Sequence, residues 1–172
     1  MIVSNSSPLI LLAKINQLKL LKDLFGKVFI PRAVYEEVIV HGKQESYSDA
    51  FLLERSMDEL IFVRDVKGSW MKEAIRLAKV LGKGESEAIL LATQERANLL
   101  LIDDAESRKT AQVHKIACRS TPGLLLDAFR KRILRREEYI KNIQLLSEFA
   151  WLSGDVVAYF LDQGYIWKGE KK

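Results

Sequence analysis

The chain has 172 residues, a formal net charge of +4 and one cysteine, and 48% of its residues are hydrophobic. This length predicts a single domain, residues 1–172, with a sizeable core. No apolar run approaches the roughly 18 residues that a membrane span needs, and no secretory signal pattern opens the sequence. Cys118 has no second cysteine for an internal disulfide, so we expect a cytoplasmic protein without membrane partners.

Short apolar runs alternate with amphipathic segments along the whole chain. In chain order the patterns predict strand 1–4, helix 8–24, strand 28–30, helix 31–40, helix 46–54, strand 61–64, helix 69–81, helix 84–97, strand 99–102, helix 105–113, strand 116–119, helix 121–133, and C-terminal helices near 137–149 and 155–163. This alternation is typical of an α/β fold with a mainly parallel central sheet.

Polar side chains follow two of the predicted strands. Asn5 comes after the first strand, and Asp103 and Asp104 come after the apolar run 99–102. Ligands of parallel sheets bind beyond the carboxyl ends of the strands, so both places are candidate sites. Each also has a structural alternative, because Asn5, Ser6 or Ser7 can cap the next helix and one of the two aspartates can do the same.

Two predicted helices carry further acidic candidates. In the helix after Pro31, the 3.6-residue period places Glu37 near the edge of the apolar face and Glu36 nearly opposite, toward solvent. In the segment GKGESEAILLA, Glu85 and Glu87 lie about 200° apart on a helix and are not expected to face one ion together. Glu85 can instead serve the helix N-terminus, where a carboxylate is favourable.

A shared acidic site has a chemical consequence. Carboxylates brought together repel one another, and a divalent ion neutralises them. Hard cations such as Mg2+ and Mn2+ choose oxygen ligands, and hydrolysis of phosphodiesters is chemistry that they serve. The sequence therefore permits a metal-dependent phosphodiesterase without requiring one.

Basic residues cluster in one short segment: Arg130, Lys131, Arg132, Arg135 and Arg136. A solvated helix face and a phosphate-binding patch both explain this cluster. The overall charge is compatible with a nucleic-acid partner but does not identify one.

The sequence resembles the PIN-domain nucleases, and in particular the archaeal and bacterial toxin-like branch that is similar to VapC. The likeness runs in order over about residues 1–135, through the segments SNSSPLILLAKI, IPRAVYEEV, GKGESEAILLA, LLLIDDAESRKTA and TPGLLLDAF. The resemblance implies a three-layer α/β/α sandwich with a central mainly parallel sheet. It also implies a toxin-like, Mg2+- or Mn2+-dependent endoribonuclease that acts on single-stranded RNA, forms a homodimer and is restrained by a cognate antitoxin.

The resemblance also assigns the acidic positions. The family's first acid corresponds to Asn5, its second to Glu37, and its third to Glu87, with Glu85 as a possible addition. The fourth corresponds to Asp103 or Asp104.

The same likeness predicts residues that touch RNA. Ser7 corresponds to a family Ser or Thr near the first acid, and Arg108 to a basic residue just beyond the fourth. Arg130 and Arg132 join them as candidates for the RNA backbone. In this reading Asn5, Glu37, Glu87 and Asp104 hold one or two metal ions and perform the catalysis.

Asn5 departs from the family pattern, which has Asp at this position. An amide oxygen can coordinate a hard cation but brings no negative charge. We therefore expect weaker metal binding and slower cleavage than an Asp form would show. The alternative is a degenerate PIN module that binds RNA or a protein partner without cutting. A Rossmann-type nucleotide binder is disfavoured, since no GxGxxG follows the first strand and GKGES is not a P-loop.

Overall fold

The computed structural model describes residues 1–167. Five strands form one sheet: β1 (Ile2–Ser4), β2 (Val28–Ile30), β3 (Ile61–Val63), β4 (Leu99–Leu101) and β5 (Cys118–Arg119). Every strand pairing is parallel, and the strand order is β3-β2-β1-β4-β5. The prediction of an α/β fold with a parallel central sheet is confirmed.

Helices occupy most of the remaining chain. They are α1 (Ser6–Lys14), α2 (Lys19–Phe25), α3 (Arg32–Tyr35), α4 (Gly42–Gln44), α5 (Ser48–Arg55), α6 (Gly68–Leu81), α7 (Lys83–Gln94), α8 (Ala105–Val113), α9 (Thr121–Arg130), α10 (Arg136–Phe149) and α11 (Gly154–Ile166), with a π-helical turn at Glu36–His41 between α3 and α4. The helical turns predicted over residues 8–24 are divided between two helices. Asn16 adopts a left-handed backbone with φ of 55°, which an α-helix cannot continue, so the chain forms α1 and α2 instead.

Apolar side chains pack on both faces of the sheet. Successive residues of the buried run show this, since Leu101 belongs to one hydrophobic cluster while Leu100 and Ile102 belong to another. Because side chains alternate along a strand, the two clusters lie on opposite faces. Helix α7 supplies much of the second cluster, and α1, α9 and α10 supply much of the first. The sheet therefore lies between two helical layers.

The C-terminal helices pack onto the first of these clusters. Tyr139 is fully buried and stacks on Phe129 of α9, with 4.8 Å between the ring centroids. Its hydroxyl donates a 2.6 Å hydrogen bond to the backbone oxygen of Phe160 in α11. These contacts fix α10 and α11 beside the carboxyl end of the sheet. No helix within residues 1–167 is long and apolar enough to cross a bilayer.

Candidate active site

The strand order reverses between β1 and β4. From β1 the chain continues toward β2 on one side, and from β4 it continues toward β5 on the other. Such a switch point leaves a crevice beyond the carboxyl ends of the two strands, where ligands of open α/β sheets bind. The backbone N–H of Asn5 still donates to the oxygen of Leu101, at 3.1 Å, so Asn5 lies directly at this crevice.

The crevice opens into a cavity of about 740 Å³, which we call the acidic cavity. Its polar wall unites six predicted site residues: Asn5, Ser7, Glu85, Asp103, Asp104 and Arg108. Three carboxylates thus face one guanidinium in a single enclosure. The site predicted from separated segments of the chain is therefore assembled in space, although not from every predicted residue.

Asn5 does not cap the following helix. No hydrogen bond from a backbone N–H reaches its side chain, although it occupies the N-cap position of α1. The residue is only 1% exposed, and neither Oδ1 nor Nδ2 has a partner within the protein. A buried amide without partners is costly, so a ligand oxygen or cation at this point would satisfy it.

The carboxylate of Asp103 is occupied by protein donors. Its Oδ1 accepts from the backbone N–H of Thr121 at 2.7 Å. Its Oδ2 accepts from the Thr121 hydroxyl at 2.7 Å and from the Ser7 hydroxyl at 3.0 Å. Asp103 therefore joins the end of β4 to α1 and α9. Ser7, predicted to touch RNA, is one of its donors.

Asp104 caps α8. Its Oδ2 accepts from the backbone N–H of Ser107 at 2.6 Å. This hydrogen bond, assisted by the positive charge of Arg108, lowers the pKa of Asp104. The Arg108 guanidinium donates to the backbone oxygen of Asp103, which holds its charge at the rim. Asp104 therefore keeps its negative charge, and its other oxygen is not needed for the cap.

The surroundings of Glu85 shift its pKa in the opposite direction to that of Asp104. Partial burial raises the pKa of its carboxyl, and the negative charges of Glu37 and Asp104 raise it further. Glu37 approaches from the π-helical turn, where its Oε2 accepts from the Ser6 hydroxyl at 2.6 Å. A Cβ on Gly84 would lie 2.9 Å from that same oxygen, so glycine permits the close approach. Carboxylates from two other segments, Glu37 and Asp104, therefore act on Glu85.

Glu87 has a partner elsewhere in the fold. It is 6% exposed, and its Oε2 accepts from the backbone N–H of Ala33 at 3.0 Å. That contact ties α7 to the start of α3, and Glu87 does not line the acidic cavity. Glu36 is partly exposed and pairs with Lys83 at 3.0 Å, whereas Glu37 is the more exposed of the two, so the predicted difference between them is not confirmed. The two glutamates of α7 thus face different surroundings, and Glu85 is the one at the cavity.

The two predicted arginines of the basic segment also differ in position. Arg130, at the end of α9, lines a second cavity of about 250 Å³ that adjoins the first. Arg132 is exposed and lines neither cavity. Both remain predictions as RNA contacts.

The opposite wall of the acidic cavity was not predicted. It comes from the α10–α11 connection and the start of α11, through Phe149, Trp151, Leu152, Val156 and Phe160. Trp151 is fully exposed at the rim. The only sequence signal was an aromatic residue in the short break AWLSG between two helical patterns.

The donor chemistry of the polar wall suits a hard divalent cation. Carboxylate oxygens and an unpartnered amide oxygen are ligands that Mg2+ and Mn2+ accept. Burial raises the pKa of Glu85, and the negative charges of Glu37 and Asp104 raise it further. Within residues 1–167, however, no three His, Cys, Asp or Glu side chains are arranged to hold a metal ion. The residues fit a metal by chemistry but do not form a ready-made cage.

A family model described as a PIN domain matches residues 1–164. No curated protein and no solved structure matches the chain. The match covers nearly all of the sequence, and the parallel sheet with its acidic crevice agrees with it. The chain belongs to the PIN-domain family, whose fold is that of nucleases.

Proposed function

We propose that this protein is a metal-dependent endoribonuclease that cuts single-stranded RNA at the acidic cavity. The observation that carries the proposal is the convergence of Glu85, Asp104 and the unpartnered Asn5 at the switch point of the sheet. An acidic group in a cleft whose pKa is raised by burial and by neighbouring carboxylates, as that of Glu85 is, is typical of a functional site.

Glu85 and Asp104 would hold the ion, with Glu37 beside them and the amide oxygen of Asn5 as a neutral donor. When bound, Mg2+ or Mn2+ polarises a phosphoryl group and lowers the pKa of water. Glu87 is not in this set, because its carboxylate serves the backbone of α3. Within the described residues no three acidic, His or Cys side chains are arranged around one metal position, and Asn5 brings no negative charge. Both features predict weak metal binding.

The remaining residues of the polar wall would bind the RNA backbone or hold the surrounding helices in position. Arg108 uses one N–H for the backbone of Asp103, and a guanidinium has five such donors, so others can hold a phosphate oxygen. Asp103 positions α1 and α9 around the cavity rather than meeting substrate. The apolar wall of Phe149, Leu152 and Phe160 favours unpaired RNA, since its bases can leave the stack and cover apolar side chains.

Three isosteric variants test the assignment in an RNA cleavage assay with Mn2+, with and without chelator. Glu85→Gln and Asp104→Asn should each lower cleavage by about a hundredfold, because each removes a charge that opposes the cation. Glu36→Gln makes the same change at an exposed position and should keep full activity. Full activity of both site variants would overturn the proposal.

A fourth variant separates the two glutamates of α7. Glu87→Gln retains an acceptor for the N–H of Ala33, so the fold should persist and cleavage should continue. If Glu87→Gln abolishes cleavage and Glu85→Gln does not, the resemblance assigned the third acid correctly. Glu87, and not Glu85, is then the metal ligand.

A non-cutting module that binds RNA or a partner is the second candidate. Within residues 1–167 no three His, Cys, Asp or Glu side chains are arranged to hold a metal ion, which favours this candidate, as does the amide at position 5. Wild-type protein that leaves RNA intact at every Mn2+ concentration would select this candidate. The toxin-like role, the antitoxin and the homodimer stay predictions from the resemblance.

A further inference from the structure

A second cavity adjoins the acidic cavity and carries the opposite charge. We call it the arginine cavity; Arg108, Arg119, Arg130, Asp127, Tyr159 and Phe160 line it, with a volume of about 250 Å³. Three guanidinium groups face one carboxylate there. Arg108 and Phe160 line both cavities, so the two enclosures share a wall.

Protein partners fix two of the guanidinium groups but occupy only some of their N–H donors. Arg119 pairs with Asp127 at 2.7 Å, and Arg130 donates to the side chain of Gln163 at 2.8 Å. Each guanidinium keeps further N–H donors that can reach an anion. The cavity therefore presents positive charge in fixed positions, which suits a phosphate oxygen better than mobile surface lysines would.

An aromatic ring completes the lining. Tyr159 of α11 is 55% exposed and rests edge-on against Phe160, with 5.2 Å between the ring centroids. An exposed ring beside arginines is the arrangement on which unpaired bases stack in single-strand binding proteins. The volume is below the usual range for a drug-sized ligand, about 300–1,000 Å³, and suits part of one nucleotide.

We propose that the arginine cavity binds a second nucleotide of the RNA strand that enters the acidic cavity. Arg130 and Arg119 hold a phosphate, and Tyr159 stacks on a base. The proposal rests on the proposed function for its substrate. A polyanion is repelled by the acidic cavity until a cation is present, whereas the arginine cavity attracts it at any time. The second cavity therefore supplies binding that needs no metal.

The test measures binding in chelator, where cleavage is absent. A fluorescently labelled, short single-stranded oligoribonucleotide is titrated with the full chain, and anisotropy is followed over a range of salt concentrations. Arg130→Gln should weaken binding about tenfold, because charge-assisted hydrogen bonds to phosphate are lost. The salt slope should fall by about 0.7 for each phosphate contact removed from a single strand.

Tyr159→Leu should weaken binding by about fivefold or more, as loss of base stacking does, while Tyr159→Phe keeps the ring and should bind like wild type. Matched controls exist for both changes. Arg55→Gln removes the same charge at an exposed position of α5, and Tyr165→Leu changes another exposed tyrosine of α11; neither residue lines the cavity. Thermal melts confirm that each variant is folded.

The result expected is weaker binding for Arg130→Gln and Tyr159→Leu alone. Equal effects in variants and controls would overturn the subsite, as would wild-type protein that binds no oligoribonucleotide. Binding of a glutamate-rich peptide instead of RNA would also overturn it, since the cavity would then recognise a protein partner. Cleavage by the wild type with unchanged binding in the variants would remove the subsite and leave the nuclease intact. If instead the two variants bind RNA more weakly but the wild type cuts no RNA with Mn2+, the subsite stands and only the nuclease proposal is overturned.

Discussion

Asn5 is a buried residue whose side-chain amide has no partner, although buried polar groups in folded proteins are almost always hydrogen-bonded. Its neighbours around the acidic cavity are carboxylates that repel one another. The amide therefore has two effects. It avoids adding a further buried negative charge, and it leaves an oxygen available to a cation.

The substitution Asn5→Asp should exchange stability for metal affinity. In chelator, a buried unpaired carboxylate beside Glu85 and Asp104 should lower the melting temperature below that of wild type. With Mn2+ the added charge should tighten metal binding by about tenfold, so the metal-induced rise in melting temperature should exceed that of wild type. Calorimetric titration and thermal melts measure both effects.

Asn142 supplies the matched control. It is also buried, with an unpartnered Nδ2, but it lies in α10 and lines neither cavity. Asn142→Asp should destabilise the protein, and Mn2+ should not reverse the loss. Metal binding that is unchanged or weaker in Asn5→Asp would contradict a ligand role for position 5.

Glu85 gives a pH dependence of defined sign. Its pKa is raised in the folded state, so the folded protein favours the protonated form. Its unfavourable effect is absent below the ordinary carboxyl pKa of about 4.3 and grows as pH rises through the raised value. In metal-free buffer, Glu85→Gln should therefore be more stable than wild type at pH 7 and equal to it near pH 4. Denaturant unfolding at the two pH values measures this difference.

Mn2+ separates this effect from a general gain in stability. Added Mn2+ should raise the stability of wild type and leave Glu85→Gln nearly unchanged. Asp104 works in the opposite direction, because its lowered pKa means that it stabilises the fold until pH falls through that value. A Glu85→Gln variant that is less stable than wild type at pH 7 would show that the carboxylate is favourably paired.

The sequence could not choose between Glu85 and Glu87. Helix α7 is apolar nearly all round, since residues from Ser86 to Ala92 are buried, so periodicity defines no outward face. Which carboxylate meets the cavity depends on how α7 docks between α3 and the sheet. Glu37 was predicted near an apolar edge, but it is exposed, and its hydrogen bond with Ser6 comes from a π-helical turn that a 3.6-residue period does not represent.

At the scale of elements, the contact between α10 and α11 forms one side of the acidic cavity. Gly164 of α11 lies against the ring of Tyr139, where an added Cβ would be 2.9 Å from Cε1 and 3.0 Å from Cδ1. The ring has no room to move, because it is fully buried and stacked on Phe129. Small side chains at this crossing are therefore a condition for the close packing of the two helices.

Gly164→Ala should destabilise the protein by about 1–3 kcal/mol through overpacking. Gly154→Ala is the control, since no atom lies within 4 Å of a Cβ at that position, at the start of the same helix. The control should be neutral or slightly stabilising, because alanine has the higher helix propensity. Chemical denaturation compares the two variants, and equal stability would show that α11 adjusts freely on α10.

Most elements could be predicted because their signals are local. The apolar run of β4 and the amphipathic C-terminal segments show their class directly in the pattern of side chains. The break between α1 and α2 was missed because no glycine or proline marks Asn16. The cavity wall at Trp151 was missed because a helix connection has no period, and its position depends on the docking of α10.

At the scale of the whole molecule, the formal charge of +4 averages over two neighbouring cavities of opposite sign. Composition could not show this separation, because it counts charges without their positions in space. The strand order creates it by bringing the ends of β1, β4 and β5 together. The fold, more than the net charge, thus defines where a polyanion and a cation can meet.

Asp103 has a mechanical consequence for this arrangement. One carboxylate joins the end of a strand to the first turns of two helices that are more than a hundred residues apart in sequence. Neither helix can shift without stretching a bond to the other, so the polar wall behaves as a rigid block. Any adjustment to ligands of different size must then come from the aromatic side of the crevice.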